Sequence, residues 1–185
     1  MDLEMISRDR ALEMLRQEIS QVNLIKHVIA VEAVMRGMAR RLGGDEEVWS
    51  RAGLLHDLDY SRTVDKPEQH ARLAVEMLKN ELPPDALQAI LAHCGHVAAV
   101  SPMDKAIRCA DPVTGLITAA ALMHPSRKLE GINVGFIAKR FKEKRFAAGA
   151  DRDQIAECLN LGIELEDFLG LALDSMRESS EELGL

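Results

Sequence analysis

Apolar side chains recur at the spacing of an α-helix along this chain, and no segment alternates apolar and polar residues as a half-buried strand does. Aromatic residues make up only 3% of the chain, whereas the helix formers Ala, Leu, Met, Glu, Lys and Arg are abundant. The sequence therefore predicts an all-α fold. The pattern is clearest before Gly43-Gly44, a pair that ends a helix well, at Leu24, Val28, Val31, Val34, Met35 and Met38.

The length of 185 residues fits one domain of ordinary size. We expect residues 1–185 to form a single multi-helix bundle, with a core from 23 to 124 and C-terminal helices from 133 to 183 packed on it. Pro67 suits the first turn of a helix that runs to about Asn80. Pro112 should kink or end its helix, because proline lacks the backbone donor and its ring clashes with the preceding turn. A long last helix, from Leu165 to about Leu183, would offer an apolar face for a homodimer.

Charge and cysteine usage narrow the class of protein. The net charge of −7 gives no reason to expect a nucleic-acid polymer as partner. Cys94, Cys109 and Cys158 form no CxxC pair, which favours a reducing compartment. The first four residues, Met1–Glu4, are acidic and carry no signal-type apolar run. No stretch approaches the roughly 18 uninterrupted apolar residues of a membrane span. We expect a cytoplasmic protein with no membrane partner.

Histidines and aspartates that suit a metal ion fall on or beside these helical patterns. Five of the six histidines precede Asp111. Imidazole and carboxylate are the ligands that zinc, manganese and iron accept. A fold that turns them inward would hold one or two ions in a helical core. The candidates are His27, His56, Asp57, His70, His93, His96 and Asp111.

The spacing of these residues limits how they can meet. His56 and Asp57 are adjacent, so on a helix they point roughly 100° apart and reach one ion only near a helix end. His27 and Asp111 belong to other helices, as a buried ion in a bundle requires. No Gly-x-Ser-x-Gly element and no phosphate-binding glycine loop is present in the sequence. We expect Asp59 and Asp104 to be exposed or to cap helices.

The order His27, His56-Asp57, Asp111 resembles the HD superfamily of metal-dependent phosphohydrolases, and the likeness spans at least residues 23–118. The whole chain resembles a group of small predicted HD hydrolases with no assigned substrate. Many HD proteins continue His-Asp-Ile-Gly, and the change to Leu58-Asp59 puts the end of that helix in question. The similar segments are Leu54-Leu55-His56-Asp57, Ala110-Asp111, Val113-Thr114-Gly115-Leu116, Arg127-Lys128 and 146–152.

This resemblance implies an HD-type bundle with a buried site that hydrolyses a small phosphate ester or anhydride, nucleotide-like, with a metal-activated water. The first ion would be bound by His27, His56, Asp57 and Asp111. Catalysis would depend on Asp57, His70 and His93, since Asp57 would bridge to a second ion held by the two histidines. His96 would assist that ion or face the substrate. The metal would be Mn, Fe, Zn, Ni or Co.

A phosphorylated substrate also needs cationic partners, and we rank Lys128 and Arg108 first. The basic run from Lys139 to Arg145 is a solvated helix face or an anion-attracting rim. Two other functions stay open. One is a di-iron HD-type oxygenase, because imidazole also suits iron. The other is an HD module that binds a nucleotide without cleaving it.

Overall fold

The structure, a computed structural model, describes residues 5–185, and this part of the chain contains helices and turns but no strand. The all-α prediction is confirmed, while the prediction for Met1–Glu4 lies outside the described residues. Two short 3-10 helices span Leu129–Gly131 and Glu157–Leu161. The α-helices are α1 (Arg8–Glu18), α2 (Val22–Leu42), α3 (Glu46–Leu55), α4 (Tyr60–Thr63), α5 (Arg72–Leu78), α6 (Pro84–His93), α7 (Pro102–Met123), α8 (Val134–Lys142), α9 (Arg152–Ala156), α10 (Leu165–Arg177) and α11 (Ser180–Leu183).

Side-chain caps set where several helices begin. Asp45 accepts backbone N–H groups at the start of α3. Ser101 and Asp104 form a reciprocal capping box at the start of α7, so Asp104 is a cap, although it is also buried. Asn133 and Asp151 cap α8 and α9. The first residues of these helices can be predicted from sequence, because a cap needs only a side-chain oxygen at the right position.

Helix α2 lies at the centre of the fold and packs against α3, α7 and α10. Its contact with α3 is close because Gly53 faces it: a Cβ there would lie 2.9 Å from the Val31 carbonyl oxygen and 2.9 Å from Met35 Cγ. This approach places the end of α3, and the segment that follows it, beside the first turns of α2.

Pro112 was predicted to end or kink its helix. It does not end it, since α7 runs unbroken from Pro102 to Met123. An interior proline costs about 3 kcal/mol. Beyond it, Val113, Leu116 and Ile117 are fully buried, and each such side chain contributes roughly 1.5–3 kcal/mol. Packing therefore outweighs the proline.

By length and composition α7 could also cross a membrane, but 56% of its most apolar window is buried in the fold, as in a core helix.

Two further helix predictions need correction. The segment after Pro67 forms turns, and α5 begins only at Arg72, because Ala71 has a φ of +64° that interrupts the helical hydrogen bonds. The prediction of a single last helix is also wrong, because α10 ends at Arg177 and a separate helix, α11, begins at Ser180. Both pack on α2, so the apolar face expected for a homodimer is covered within the chain.

Candidate metal centre

Six of the seven predicted ligands meet at one place in the fold. His27 lies in the first turns of α2, His56 and Asp57 directly follow α3, and Asp111 lies halfway along α7. Their partners are His70, in the turn before α5, and His93, the last residue of α6. Within each of three groups, ligand atoms lie within 4.8 Å of one another: His27, His56 and Asp57; His56, His93 and Asp111; and Asp57, His70 and His93.

His56 is fully buried, and its two ring nitrogens have different surroundings. Nδ1 lies 2.8 Å from the Gly53 carbonyl oxygen, an acceptor, so the proton resides on Nδ1. Nε2 then presents a lone pair. It faces Asp57 Oδ1 at 3.5 Å and Asp111 Oδ1 at 3.8 Å, and it has no hydrogen-bond partner within residues 5–185.

His27 is oriented by a hydroxyl group. Thr114 Oγ1 donates to the Asp111 carbonyl oxygen at 2.8 Å, so it accepts from His27 Nδ1 at 3.2 Å. His27 Nε2 therefore faces Asp111 Oδ1 at 3.1 Å and Asp57 Oδ2 at 3.7 Å.

His70 and His93 repeat this arrangement on the other side of Asp57. His93 Nδ1 hydrogen-bonds the Ile90 carbonyl oxygen, and His70 Nδ1 lies 2.9 Å from Asp59 Oδ1. The Nε2 atoms of His93 and His70 lie 3.6 Å and 3.2 Å from Asp57 Oδ1, respectively, and 3.2 Å from each other.

The donor set fits a divalent cation. Four imidazoles have Nδ1 bound to an acceptor and turn Nε2 toward two carboxylates. Between these lone pairs there must be either protons or a metal cation. A buried nitrogen such as His56 Nε2 is costly to leave without a partner. Metal-binding histidines characteristically tie their second nitrogen to a carbonyl or carboxylate in this way. Asp57 faces both halves of the cluster, since its Oδ1 lies near His70 and His93 and its Oδ2 lies near His27.

The charges around the centre keep both carboxylates ionised. Burial would raise the pKa of Asp57, but the surrounding histidines hold it well below its ordinary value, and the pKa of Asp111 is lowered for the same reason. Burial lowers the pKa of His56. Burial would also lower the pKa of His27 and of His70, but the neighbouring carboxylates outweigh it and raise both, to about 10 for His70. Both carboxylates are therefore ready to bind an ion, which would displace the protons that His27 and His70 hold beside them.

The centre opens to solvent on the side of His27 and Asp111, whose side chains are 25% and 30% exposed. A cavity of about 310 Å³ lies against them, and its far wall is formed by Ala147, Gly149 and Ala150. A second cavity, of about 420 Å³, shares His27 and adds Lys26. A substrate would therefore reach the centre from this side.

The remaining predicted residues lie outside the cluster. His96 is not brought to the ligand atoms: its Nε2 hydrogen-bonds the His70 carbonyl oxygen at 2.7 Å. Arg108 forms a two-pronged ion pair with Glu157, with both N–O distances at 2.7 Å, so its charge is already paired. Lys128 lies in the loop after α7, with Nζ 3.5 Å from the Gly184 carbonyl oxygen.

Sequence reasoning missed three residues at the site. Asp59 was expected to be exposed or capping, but it is fully buried and bonded to His70. Its signal was an acidic residue directly after Leu58, where HD proteins often have glycine. Lys26 precedes His27 and could have been noticed as a cation beside a ligand. Thr114 belongs to the HD-like segment Val113-Thr114-Gly115-Leu116, but nothing in its spacing indicates that its hydroxyl orients His27.

Comparisons with known proteins agree with this geometry. The HD domain family model matches residues 24–116. The chain is 31% identical over 150 residues to a ribonuclease Y of a Sulfurovum species, covering 80% of this chain and 28% of that protein. It is 30% identical over 135 residues to a ribonuclease Y of a Nitratiruptor species, covering 71% and 26%. The chain thus spans little more than a quarter of these relatives. No solved structure matches it significantly.

Proposed function

Because the chain belongs to the HD domain family, we propose that it is a metal-dependent hydrolase of a phosphate ester or anhydride. The observation that carries this proposal is the convergence of four imidazole Nε2 atoms on two ionised carboxylates. Such a set suits a divalent transition ion, and a cavity lies against it on the side of His27 and Asp111.

The ligands divide into two sets around Asp57. We assign one ion to His27, His56, Asp57 and Asp111. We assign a second to Asp57, His70 and His93. Divalent ions bound there supply a water of lowered pKa and polarise a phosphoryl oxygen.

The other work falls to the protein's own side chains. The Nδ1 partners hold each imidazole in one orientation, so the site is organised before substrate arrives. Lys26, at the rim beside His27, is placed to neutralise a phosphate that enters from the cavity. Arg108 and Lys128 remain candidates on sequence grounds, although Arg108 would first have to leave Glu157.

The cavities favour a small substrate with an apolar part, such as a nucleotide. The two cavities share His27 and Gly115, and their volumes lie in the range of small-molecule sites. The larger of these two combines Lys26 and Asn23 with the apolar Ala119 and Leu122. A phosphate at the ligand cluster would leave its organic group over these apolar side chains.

RNA is a second candidate substrate, because the relatives are named ribonuclease Y. Our expectation that no nucleic-acid polymer is a partner rested on net charge alone, and these relatives remove its support. A third cavity, of about 580 Å³, shares Gly149 and Ala150 with the first, and its charged lining combines Lys142, Lys144 and Arg152 with Asp151 and Asp153. An anionic strand that left the ligand cluster would pass these cations.

The test combines metal analysis with a substrate screen. We expect the purified protein to bind divalent metal and, with Mn²⁺ or another divalent ion, to release phosphate or cleave a phosphodiester. Small nucleotides and short single-stranded RNA are offered in parallel, and the preferred one identifies the substrate class. The double substitution His56→Ala, Asp57→Ala should abolish both metal binding and turnover while it preserves helical content.

A matched control removes the same residue types elsewhere. His124, whose ring bonds Ser126, and the exposed Asp65 lie outside the ligand cluster. His124→Ala, Asp65→Ala should keep metal and activity. Full metal occupancy in the His56, Asp57 variant would contradict the assignment of the ligands. If turnover required iron and dioxygen and released no phosphate, the protein would be an oxygenase and the proposal of hydrolysis would be wrong.

A further inference from the structure

Asp59 occupies an unusual place beside the ligand cluster. Its side chain is fully buried, and each carboxylate oxygen has one partner. Oδ1 lies 2.9 Å from His70 Nδ1, while Oδ2 accepts the backbone N–H of Ala74 at 2.9 Å. The carboxylate thus joins the segment after α3 to both His70 and α5.

The neighbours of His70 leave Asp59 as the acceptor for its Nδ1. The Thr63 hydroxyl lies 3.4 Å from that nitrogen, but it donates to the Asp59 carbonyl oxygen at 3.0 Å. Tyr60 packs edge-on against the imidazole, with ring centroids 5.7 Å apart. The ring is therefore held in one orientation, with Nε2 toward Asp57 and His93.

We propose that Asp59 is a positioning residue for the second ion: it keeps the proton of His70 on Nδ1, so that Nε2 offers its lone pair to the metal. This inference rests on the proposed function, because it assumes that Asp57, His70 and His93 bind an ion. A purely structural role for Asp59 would need only the hydrogen bond to Ala74. Such a structural role would not explain why Oδ1 points at the imidazole of His70.

The substitution Asp59→Asn separates the two roles. The Ala74 N–H is fixed by the backbone and needs an oxygen, so the amide oxygen of Asn should take that place. The amide NH₂ group then faces His70 Nδ1 and donates to it, which moves the imidazole proton to Nε2. A tautomer with hydrogen on Nε2 cannot bind the ion. An Asp→Asn change beside the histidine of a serine-protease triad reverses the tautomer in the same way.

The experiment measures zinc binding and imidazole protonation rather than activity. We expect the Asp59→Asn variant to bind the second Zn²⁺ roughly 10–100-fold more weakly, with the first ion unchanged. Long-range ¹H–¹⁵N spectra of the zinc-loaded wild type should show His70 protonated on Nδ1, and those of the variant should show the proton on Nε2. The control is Asp65→Asn, which makes the same chemical change at an exposed position and should alter neither readout.

Two results would overturn the inference. One is a folded Asp59→Asn variant that binds both ions with unchanged affinity. The other is a zinc-loaded wild type with His70 protonated on Nε2, a measurement that does not depend on whether the variant folds. The two proposals can fail separately. If the Asp59→Asn variant loses the second ion but the wild-type protein hydrolyses no phosphoester, the proposed function is wrong and the role of Asp59 still holds.

Discussion

His56 and His93 both stand at the C-terminal end of a helix, and each ring donates to the carbonyl three residues earlier. The last carbonyls of a helix lack intrahelical partners, so an imidazole N–H there satisfies an acceptor at little cost. The same hydrogen bond fixes the tautomer and points Nε2 away from the helix. A local capping interaction thus orients two of the four imidazoles, whereas His27 and His70 depend on Thr114 and Asp59 from other segments.

Ion binding at His70 should release a proton, because its pKa in the metal-free protein is raised to about 10 by Asp57 and Asp59. The folded, metal-free protein keeps that proton at neutral pH, and an ion must displace it. Affinity for the second ion should therefore rise with pH, roughly tenfold per unit, and level off above about pH 10. Calorimetry in buffers of different ionisation enthalpy measures the proton count.

The control for this measurement is His70→Ala, which should release one proton fewer than the wild type when metal is added. The comparison is needed because the pKa of His27 is also raised, so the first ion displaces a proton as well. An equal proton count in the two proteins would show that His70 is not a ligand.

For single residues, the sequence could predict which side chains are candidate ligands but not how those side chains are oriented. His27, His56, Asp57 and Asp111 could be chosen because histidine and aspartate on apolar helices in this order resemble HD proteins. Asp59 stood out only as a departure from the HD pattern, since a carboxylate after a helix usually caps or is solvated, and the fold alone shows it buried against His70. For basic residues outside the cluster, such as Arg108, the partner comes from a distant helix and cannot be known from spacing.

The α2–α3 pair brings the elements of the centre together, and Gly53 controls how closely these helices approach. It also supplies the carbonyl that orients His56. Helix starts were predictable because caps are local. The continuity of α7 through Pro112 and the break between α10 and α11 were not, since both depend on which apolar faces are buried by other helices.

Gly53→Ala should destabilise the protein. The added Cβ would lie 2.9 Å from the Val31 carbonyl oxygen, a backbone atom that can move only with α2. Overpacking of this kind costs up to about 3 kcal/mol, more than the gain of roughly 1 kcal/mol from replacing glycine in a helix. We expect a lower free energy of unfolding in urea.

Gly115→Ala is the matched control, because Gly115 lies within α7 and a Cβ there meets nothing within 4 Å. This variant should gain up to about 1 kcal/mol from helix propensity and from the reduced freedom of the unfolded chain. If the two substitutions shifted stability in the same direction by the same amount, close packing of α2 on α3 would not be the cause.

The centre is assembled from segments that are far apart in the chain, from His27 to Asp111. Its ligands come from α2, α6, α7, the turn after α3 and the turn before α5. None of these segments holds the set alone, so the unfolded chain offers no comparable site. Metal affinity is therefore coupled to the formation of the whole helical core, and this coupling is a property that neither a residue nor a single helix possesses.

Removal of metal should consequently lower the melting temperature of the entire molecule. A ligand that binds only the folded state stabilises it by about 2.7 kcal/mol at 100 times its dissociation constant. For a chain of this size that corresponds to roughly 5–10 °C. We expect calorimetry to show this difference between protein in saturating Mn²⁺ and protein in a chelator, and no difference for His56→Ala, Asp57→Ala. Identical melting in both conditions would mean that the ligand atoms, although close together, do not hold an ion, since binding to the folded state must stabilise it.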